Sequence, residues 1–400
     1  MLNTGFSPWP SFTDEEADAV AAVLRSNRVN YWTGSECRSF ESEFATWVGT
    51  EHAIAVANGT VALDLALHGL KIGSANGGAA DDEVIVTPRT FIASVSSVVN
   101  AGAVPVFADV EPESGNISAA TIAPVLSART RGIAVVHLAG WPADMDPIMA
   151  MASAHDIKVI EDCAQAHGAR YRGRSVGSIG HVGAWSFCQD KIMTTGGEGG
   201  MVTTSDKDVW ERMWAFKDHG KSWSAVYERE HPPGFRWLHE GFGTNWRMME
   251  MQAVIGRIQM RRIADWTHRR TIIANRFREA LEQYSMAVRS PWPDRDITHG
   301  VYRFYSYVRP DGLKPGWTRD HIVAEVVARG CPLFQGTCSE VYLEKAFSGT
   351  GWRPQPRLPV AKELGENSLM FLTHPNLTDN EIDQMIKVVT SVIEEAAIAS

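Results

Sequence analysis

Four short segments carry side chains whose types and spacing could do chemistry. Asn58-Gly59-Thr60 follows an apolar run and precedes a helical pattern. A glycine lets a ligand approach the backbone, Thr60 offers a hydroxyl, and a helix N-terminus favours an anion such as phosphate. The same three residues also make an ordinary turn with an N-cap. Glu161-Asp162-Cys163-Ala164-Gln165-Ala166-His167-Gly168-Ala169 follows a hydrophobic run. A carboxylate there can face a cationic ligand nitrogen, or cap the next turn. The stretch from Trp185 to Gly200 sets Lys191 between apolar residues and a Gly-rich turn. A lysine near its ordinary pKa of about 10.4 is protonated and a poor nucleophile. Partial burial or condensation with an aldehyde removes that obstacle, as in Schiff-base lysines, although a lone lysine on a turn is usually only a surface group. The fourth segment, Gly243-Thr244-Asn245-Trp246-Arg247-Met248, reads by itself as a loop opening a helix.

The elements that must position these groups alternate along the chain. Thr13 and Glu16 form a capping box before an apolar face of Ala17, Val20, Ala21 and Leu24, and a second helix spans Ser39 to Val48. Strands are then predicted at 53–57, 83–87, 104–108, 132–137 and 158–161, with helices at 60–70, 91–101, 118–127 and 144–155. Such alternation implies βαβ units and a mostly parallel sheet covered on both faces, with ligands beyond the carboxyl ends of the strands. That rule points to the residues after Ala57, Thr87, His137 and Glu161. Further on, helices are predicted at 206–216, 248–266, 270–284, 320–329 and 379–398, with a strand at 302–308. The expected organisation is a large domain over residues 1–264 and a smaller α+β domain over 265–400.

Composition sets the outer limits. The 400 residues carry 38 Lys and Arg against 47 Asp and Glu, a net charge of −9, which argues against a polyanion-binding surface. The five cysteines form no CxxC pattern and read as reduced thiols of a cytoplasmic protein. The N-terminal residues lack the basic start and apolar core of a signal peptide, and no apolar run approaches the ~20 residues of a spanning helix.

In order along the chain, then, come an anion cradle, a carboxylate, and a lysine with Ser186 five residues upstream. In these the sequence resembles the DegT/StrS family of pyridoxal-phosphate-dependent nucleotide-sugar aminotransferases. The resemblance runs from Trp32 to His374. It is carried above all by EDCAQAHGA at 161–169 and SFCQDKIMTTGGEGG at 186–200, and supported by NGTVALDLAL at 58–67, DEVIVTPRTFIAS at 82–94, GAVPVFADV at 102–110 and NWRMMEMQAVIG at 245–256. It implies a fold-type I architecture: a three-layer α/β/α large domain on a mostly parallel sheet, plus a smaller C-terminal domain.

The resemblance also assigns roles. Lys191 forms the Schiff base with the cofactor and then shuttles protons. Asp162 holds the pyridine nitrogen protonated, Gln165 bonds the phenolic oxygen, and Gly59, Thr60 and Ser186 cradle the phosphate. Phe91 stacks on the ring. Asn245 reaches the phosphate from the neighbouring subunit, which implies a homodimer with shared sites. The cofactor alternates between pyridoxal and pyridoxamine phosphate, with L-glutamate as amine donor and a nucleotide-linked 4-keto-6-deoxy sugar as acceptor. Amination at C3 or at C4 stays open, as do the roles of His137, His167 and His219. Lys191 sets the chain apart from relatives with His there, which deoxygenate sugars. The rival from another class is a non-catalytic cofactor-binding regulator. Three stretches depart from the family pattern: Asn58 replaces a Ser, GSANGGAA at 73–80 reads as a flexible insertion, and Cys331–Tyr342 lacks the expected Pro-Leu-His-type segment.

Overall fold

The computed structural model describes residues 5–398. Its centre is a seven-stranded sheet, in the order His52–Val56, Gly200–Thr204, Val182–Ser186, Lys158–Asp162, Thr130–Val136, Glu83–Val86, Val104–Phe107. Only Gly200–Thr204 runs antiparallel to its neighbours. The strands Glu83–Val86 and Val182–Ser186 are buried at every residue, as expected of a sheet covered on both faces. Because the remaining strands point the same way, the carboxyl ends of Val56, Val86, Val136, Asp162 and Ser186 open on one edge.

That edge is where the predicted groups converge. Val182–Ser186 and Gly200–Thr204 were not anticipated as strands, since their glycines and alanine dilute the β-branched signal. They pair directly, Ser186 opposite Gly200, so the whole stretch 187–199 with Lys191 is the connection between two adjacent strands. Gly59–Gly69 packs Ala62, Leu65, Ala66 and Leu67 onto the sheet, and its N-terminus faces the same edge.

Three local expectations are corrected. The helix predicted at 91–101 begins at Ala93 and leaves Phe91 in the loop. The first helix, Asp14–Ser26, has its capping box but buries Glu16 and Val23, while Leu24 is 51% exposed. Glu16 is buried because it meets Arg262 at 2.9 Å, a partner invisible in local periodicity. The break between the two long helices falls at Arg261-Arg262, giving Glu250–Met260 and Ile263–Glu282. No glycine or proline marks that turn; both arginines there bond Glu15 of the first helix.

The C-terminal residues build a separate core. A three-stranded antiparallel sheet has Phe304–Val308 between Val288–Arg289 and Ser368–Phe371. Ile263–Glu282, Arg319–Ala328 and Asp379–Ala396 complete this layer, burying Phe277, Phe304, Phe371, Val389 and Ile393. Among the described residues no helix is long and apolar enough to cross a membrane.

Candidate active site

Asp162 is the last residue of its strand and is buried. Its Oδ2 accepts from the Ser94 hydroxyl at 2.7 Å and its Oδ1 from the Ala164 N–H at 3.1 Å. Thr90 Oγ1 lies 2.7 Å from Ser94 Oγ, so the loop after Glu83–Val86 is tied to the carboxylate. Burial pushes the Asp162 carboxyl above its ordinary value, against the pull of Ser94, Ala164 and the Lys191 charge. An added cation at this carboxylate therefore relieves a desolvated charge.

Lys191 comes to the same edge from the strand connection. Its amine is 3.7 Å from Asp190 Oδ1 and 5.3 Å from the centre of the Tyr302 ring. Burial disfavours the ammonium, but Tyr302, Asp190, Cys188 and Asp162 outweigh it and lift the pKa. The loop backbone is fixed at the Lys191 carbonyl, which accepts from Trp9 Nε1 at 2.8 Å, and at Thr194 N–H, which donates to Gln259 Oε1 at 2.9 Å.

Two of the residues expected to cradle an anion, Gly59 and Ser186, also come together. Asn58 caps Gly59–Gly69 by accepting from the Val61 N–H at 3.0 Å. The first-turn N–H groups of a helix have no intrahelical partners and remain for a ligand. Ser186 stands so close that a Cβ on Gly59 would lie 2.5 Å from Ser186 Cβ, so only glycine fits. Thr60 is exposed beside it. Gln165 Oε1 accepts from the Ala139 N–H at 2.7 Å, which turns the amide nitrogen away from Ala139 as a donor.

The structure thus brings Asp162 within electrostatic reach of Lys191 and Gly59 against Ser186, and puts Phe91, 67% exposed, in the loop just before the helix that supplies Ser94. Asn245 is different: exposed, paired through its backbone with Asp218, and without a side-chain hydrogen bond among the described residues. Residues not anticipated in the site are Ser94, Thr90, Asp190, Tyr302 and Trp9. Ser94 follows Phe91 by three residues at the start of a helix, which was a usable signal; Tyr302 had none, lying 112 positions from the Asp190 it bonds.

The three histidines separate clearly. His137 Nε2 bonds Glu161 Oε2 at 3.0 Å and Nδ1 accepts from Ala143 N–H, so this ring is a structural brace. Glu161 also accepts from the N–H groups of Gly177, Ile179 and Gly180, which together with His137 hold its carboxyl low despite complete burial. These bonds occupy the atoms that, with Cys163, would otherwise resemble a metal site. His167 is fully buried between Trp185 and Phe187, and burial lowers its pKa to about 3. His219 is exposed in a turn at φ 61°.

The chain itself is matched by known proteins across nearly its whole length. Residues 10–390 match the family model described as the DegT/DnrJ/EryC1/StrS aminotransferase family. The chain belongs to that family. It is accordingly an aminotransferase, of a class that works with pyridoxal phosphate. It is 35% identical to the GDP-perosamine synthase of Caulobacter vibrioides over 96% of this chain and 97% of the relative. It is 34% identical to the dTDP-3-amino-3,4,6-trideoxy-alpha-D-glucose transaminase of Streptomyces venezuelae, over 94% and 91%. Among solved structures, the aminotransferase from Psychrobacter cryohalolentis superposes with a TM-score of 0.95 at 60% identity, over 98% of this chain and 99% of that one.

Proposed function

We propose that this aminotransferase carries pyridoxal phosphate on Lys191 and moves an amino group from L-glutamate to the keto group of a nucleotide-linked 4-keto-6-deoxy sugar. The observation that carries the cofactor assignment is the buried Asp162 carboxylate facing the Lys191 charge on the same sheet edge. The residues present fit the group. Asp162 offers an anion to a protonated pyridine nitrogen, Gln165 an amide donor to the phenolic oxygen, and Gly59, Thr60 and Ser186 donors to a phosphate at a helix N-terminus. Phe91 offers an aromatic face to the ring.

Bound there, pyridoxal phosphate supplies an aldehyde for the lysine and an electron-withdrawing ring that stabilises negative charge on the reacting carbon. The protein's own work is then positional. Asp162 keeps the ring nitrogen protonated. Lys191 would take a proton from the substrate carbon and return one, so its amine must be held close and be able to lose its proton. Relatives acting on GDP- and dTDP-linked sugars support the acceptor class.

The same reading includes a cytoplasmic homodimer. Phe235, Trp237 and Phe242 are 76%, 80% and 102% exposed, and Phe235 and Trp237 pack edge-on at 4.8 Å, apolar side chains that a second copy would cover. Asn245 lies just beyond them, free to reach a partner's phosphate. The test is to load the protein with pyridoxal phosphate and supply nitrogen-labelled glutamate with GDP- or dTDP-linked 4-keto-6-deoxy sugars. Mass spectrometry should find the label in one aminated sugar nucleotide. Glutamate turnover with no label in either sugar would refute the acceptor.

A further inference from the structure

A residue from the edge of the C-terminal core lies against the Lys191 amine. Tyr302 is 7% exposed and lies two residues before the central strand of the small sheet. Its hydroxyl donates to Asp190 Oδ2, whose other oxygen faces the Lys191 amine at 3.7 Å. Its ring lies beneath that amine at 5.3 Å and is covered on the Arg303 side at 4.3 Å.

Nothing in this placement is loose. The Tyr302 N–H donates to the Ala139 carbonyl at 2.8 Å, and the Gly300 N–H to Gly140 at 2.7 Å. Ala139 is the residue whose N–H orients Gln165. On the other side the Val301 carbonyl accepts from Thr373 Oγ1 at 2.8 Å, and the buried Arg270 touches the Val301 and Tyr302 carbonyls at 3.4 Å. Gly140 allows the approach, since a Cβ there would sit 2.8 Å from Val301 N.

We propose that Tyr302 is a positioning residue for Lys191, acting through Asp190: its hydroxyl holds that carboxylate to one side, so that the ion pair stays at 3.7 Å instead of closing and the amine is kept over the ring. The proposal rests on the assignment of Lys191 as the reacting lysine. It also gives a reason for Asp190 to stand next to a lysine that must lose its proton. An unrestrained carboxylate one residue away would close on the ammonium and hold the proton; tethered to Tyr302, it stays at 3.7 Å. The other charged or titratable groups facing the amine are Cys188 on its own loop and Asp162 at the strand end. His167 lies behind the strand end, Arg270 on the long helix and Arg303 beside Tyr302.

Two variants move the amine in opposite directions. Tyr302→Phe keeps the ring and frees Asp190 to pair with Lys191, so the amine should titrate at higher pH. Asp190→Asn removes the carboxylate, so it should titrate at lower pH. In the double variant the Tyr302→Phe effect should vanish, because the hydroxyl acts only through Asp190. The amine is titrated in the full chain without cofactor, by the pH dependence of Lys191 acetylation with acetic anhydride read by peptide mass spectrometry. Shifts of about half a pH unit or more are expected, each a factor of about three in the equilibrium. In the cofactor-loaded enzyme, Tyr302→Phe should lower kcat for the glutamate half-reaction about tenfold at neutral pH with little change in KM. Unshifted titration in both single variants, or shifts that simply add in the double, would overturn the proposal. Because acetylation needs neither cofactor nor sugar, a failure of the proposed substrate leaves this test intact.

Discussion

At the scale of single residues, the site depends on contacts too close to tolerate one more atom. Gly59 is the sharpest case. Its missing Cβ makes room for Ser186 at the point where two polypeptide segments supply the anion cradle. Gly59→Ala forces either the helix start or the strand end to move, at a cost of about 1–3 kcal/mol. The displacement falls on the phosphate donors, so cofactor affinity should drop more than tenfold in an equilibrium titration of the cofactor's absorbance. Wild-type affinity in Gly59→Ala would show that Ser186 and the helix N-terminus do not share a ligand. Asp162 and Lys191 stood out in the sequence because each sits in a distinctive motif, EDCAQAHGA at 161–169 and SFCQDKIMTTGGEGG at 186–200. Ser94, 68 positions from Asp162, offered only its place at a helix start, and Tyr302, 112 from Asp190, offered nothing. Their partners are set by how strands stack into a sheet, which no local window contains.

At the scale of elements, the segment before the first helix acts on the lysine loop. Ser7 bonds Glu381 of the last helix, Asn376 holds the Pro8 carbonyl at 2.8 Å, and Trp9 packs edge-on to Trp266 at 5.2 Å. From that anchorage the Trp9 N–H reaches the Lys191 carbonyl. Farther along, Glu16 accepts from Gln259 at 3.3 Å, the side chain that holds Thr194. Two threads thus run from residues 7–16 to residues 191–194. Trp9→Phe keeps the aromatic packing and removes one hydrogen bond worth about 1 kcal/mol, so cofactor dissociation should accelerate about fivefold. Dilution into cofactor-free buffer, followed by absorbance, measures it; an unchanged rate would mean that this bond does not restrain the loop. The elements themselves were read well where strands were β-branched and helices long. Glycine misled in two places. It hid the strands flanking Lys191, and it made 73–80 look flexible, although the Gly73 and Ala79 N–H groups both bond Asp82 Oδ2, at 2.9 and 3.0 Å.

At the scale of the whole molecule, two cores meet beside Lys191. The large sheet brings Asp162, Ser186 and the lysine loop to one edge, and the C-terminal core adds Tyr302 through bonds to Ala139 and Gly140. The net charge of −9 belongs to the surface. Under the proposed function, anionic ligands would be received instead by a helix N-terminus and by cations held locally, such as Lys191. The fold class was legible from alternating strands and helices. The meeting of the two cores was not, because the contacts at 300–302 are made by backbone atoms that carry no sequence signal. The account stands on Lys191 as the attachment point of the cofactor. Borohydride reduction of the loaded enzyme followed by peptide mass spectrometry tests this directly. The account predicts the reduced cofactor on Lys191, and its disappearance from that peptide when the enzyme is first exposed to glutamate. A cofactor trapped on another lysine, or one on Lys191 that glutamate never removes, would contradict it.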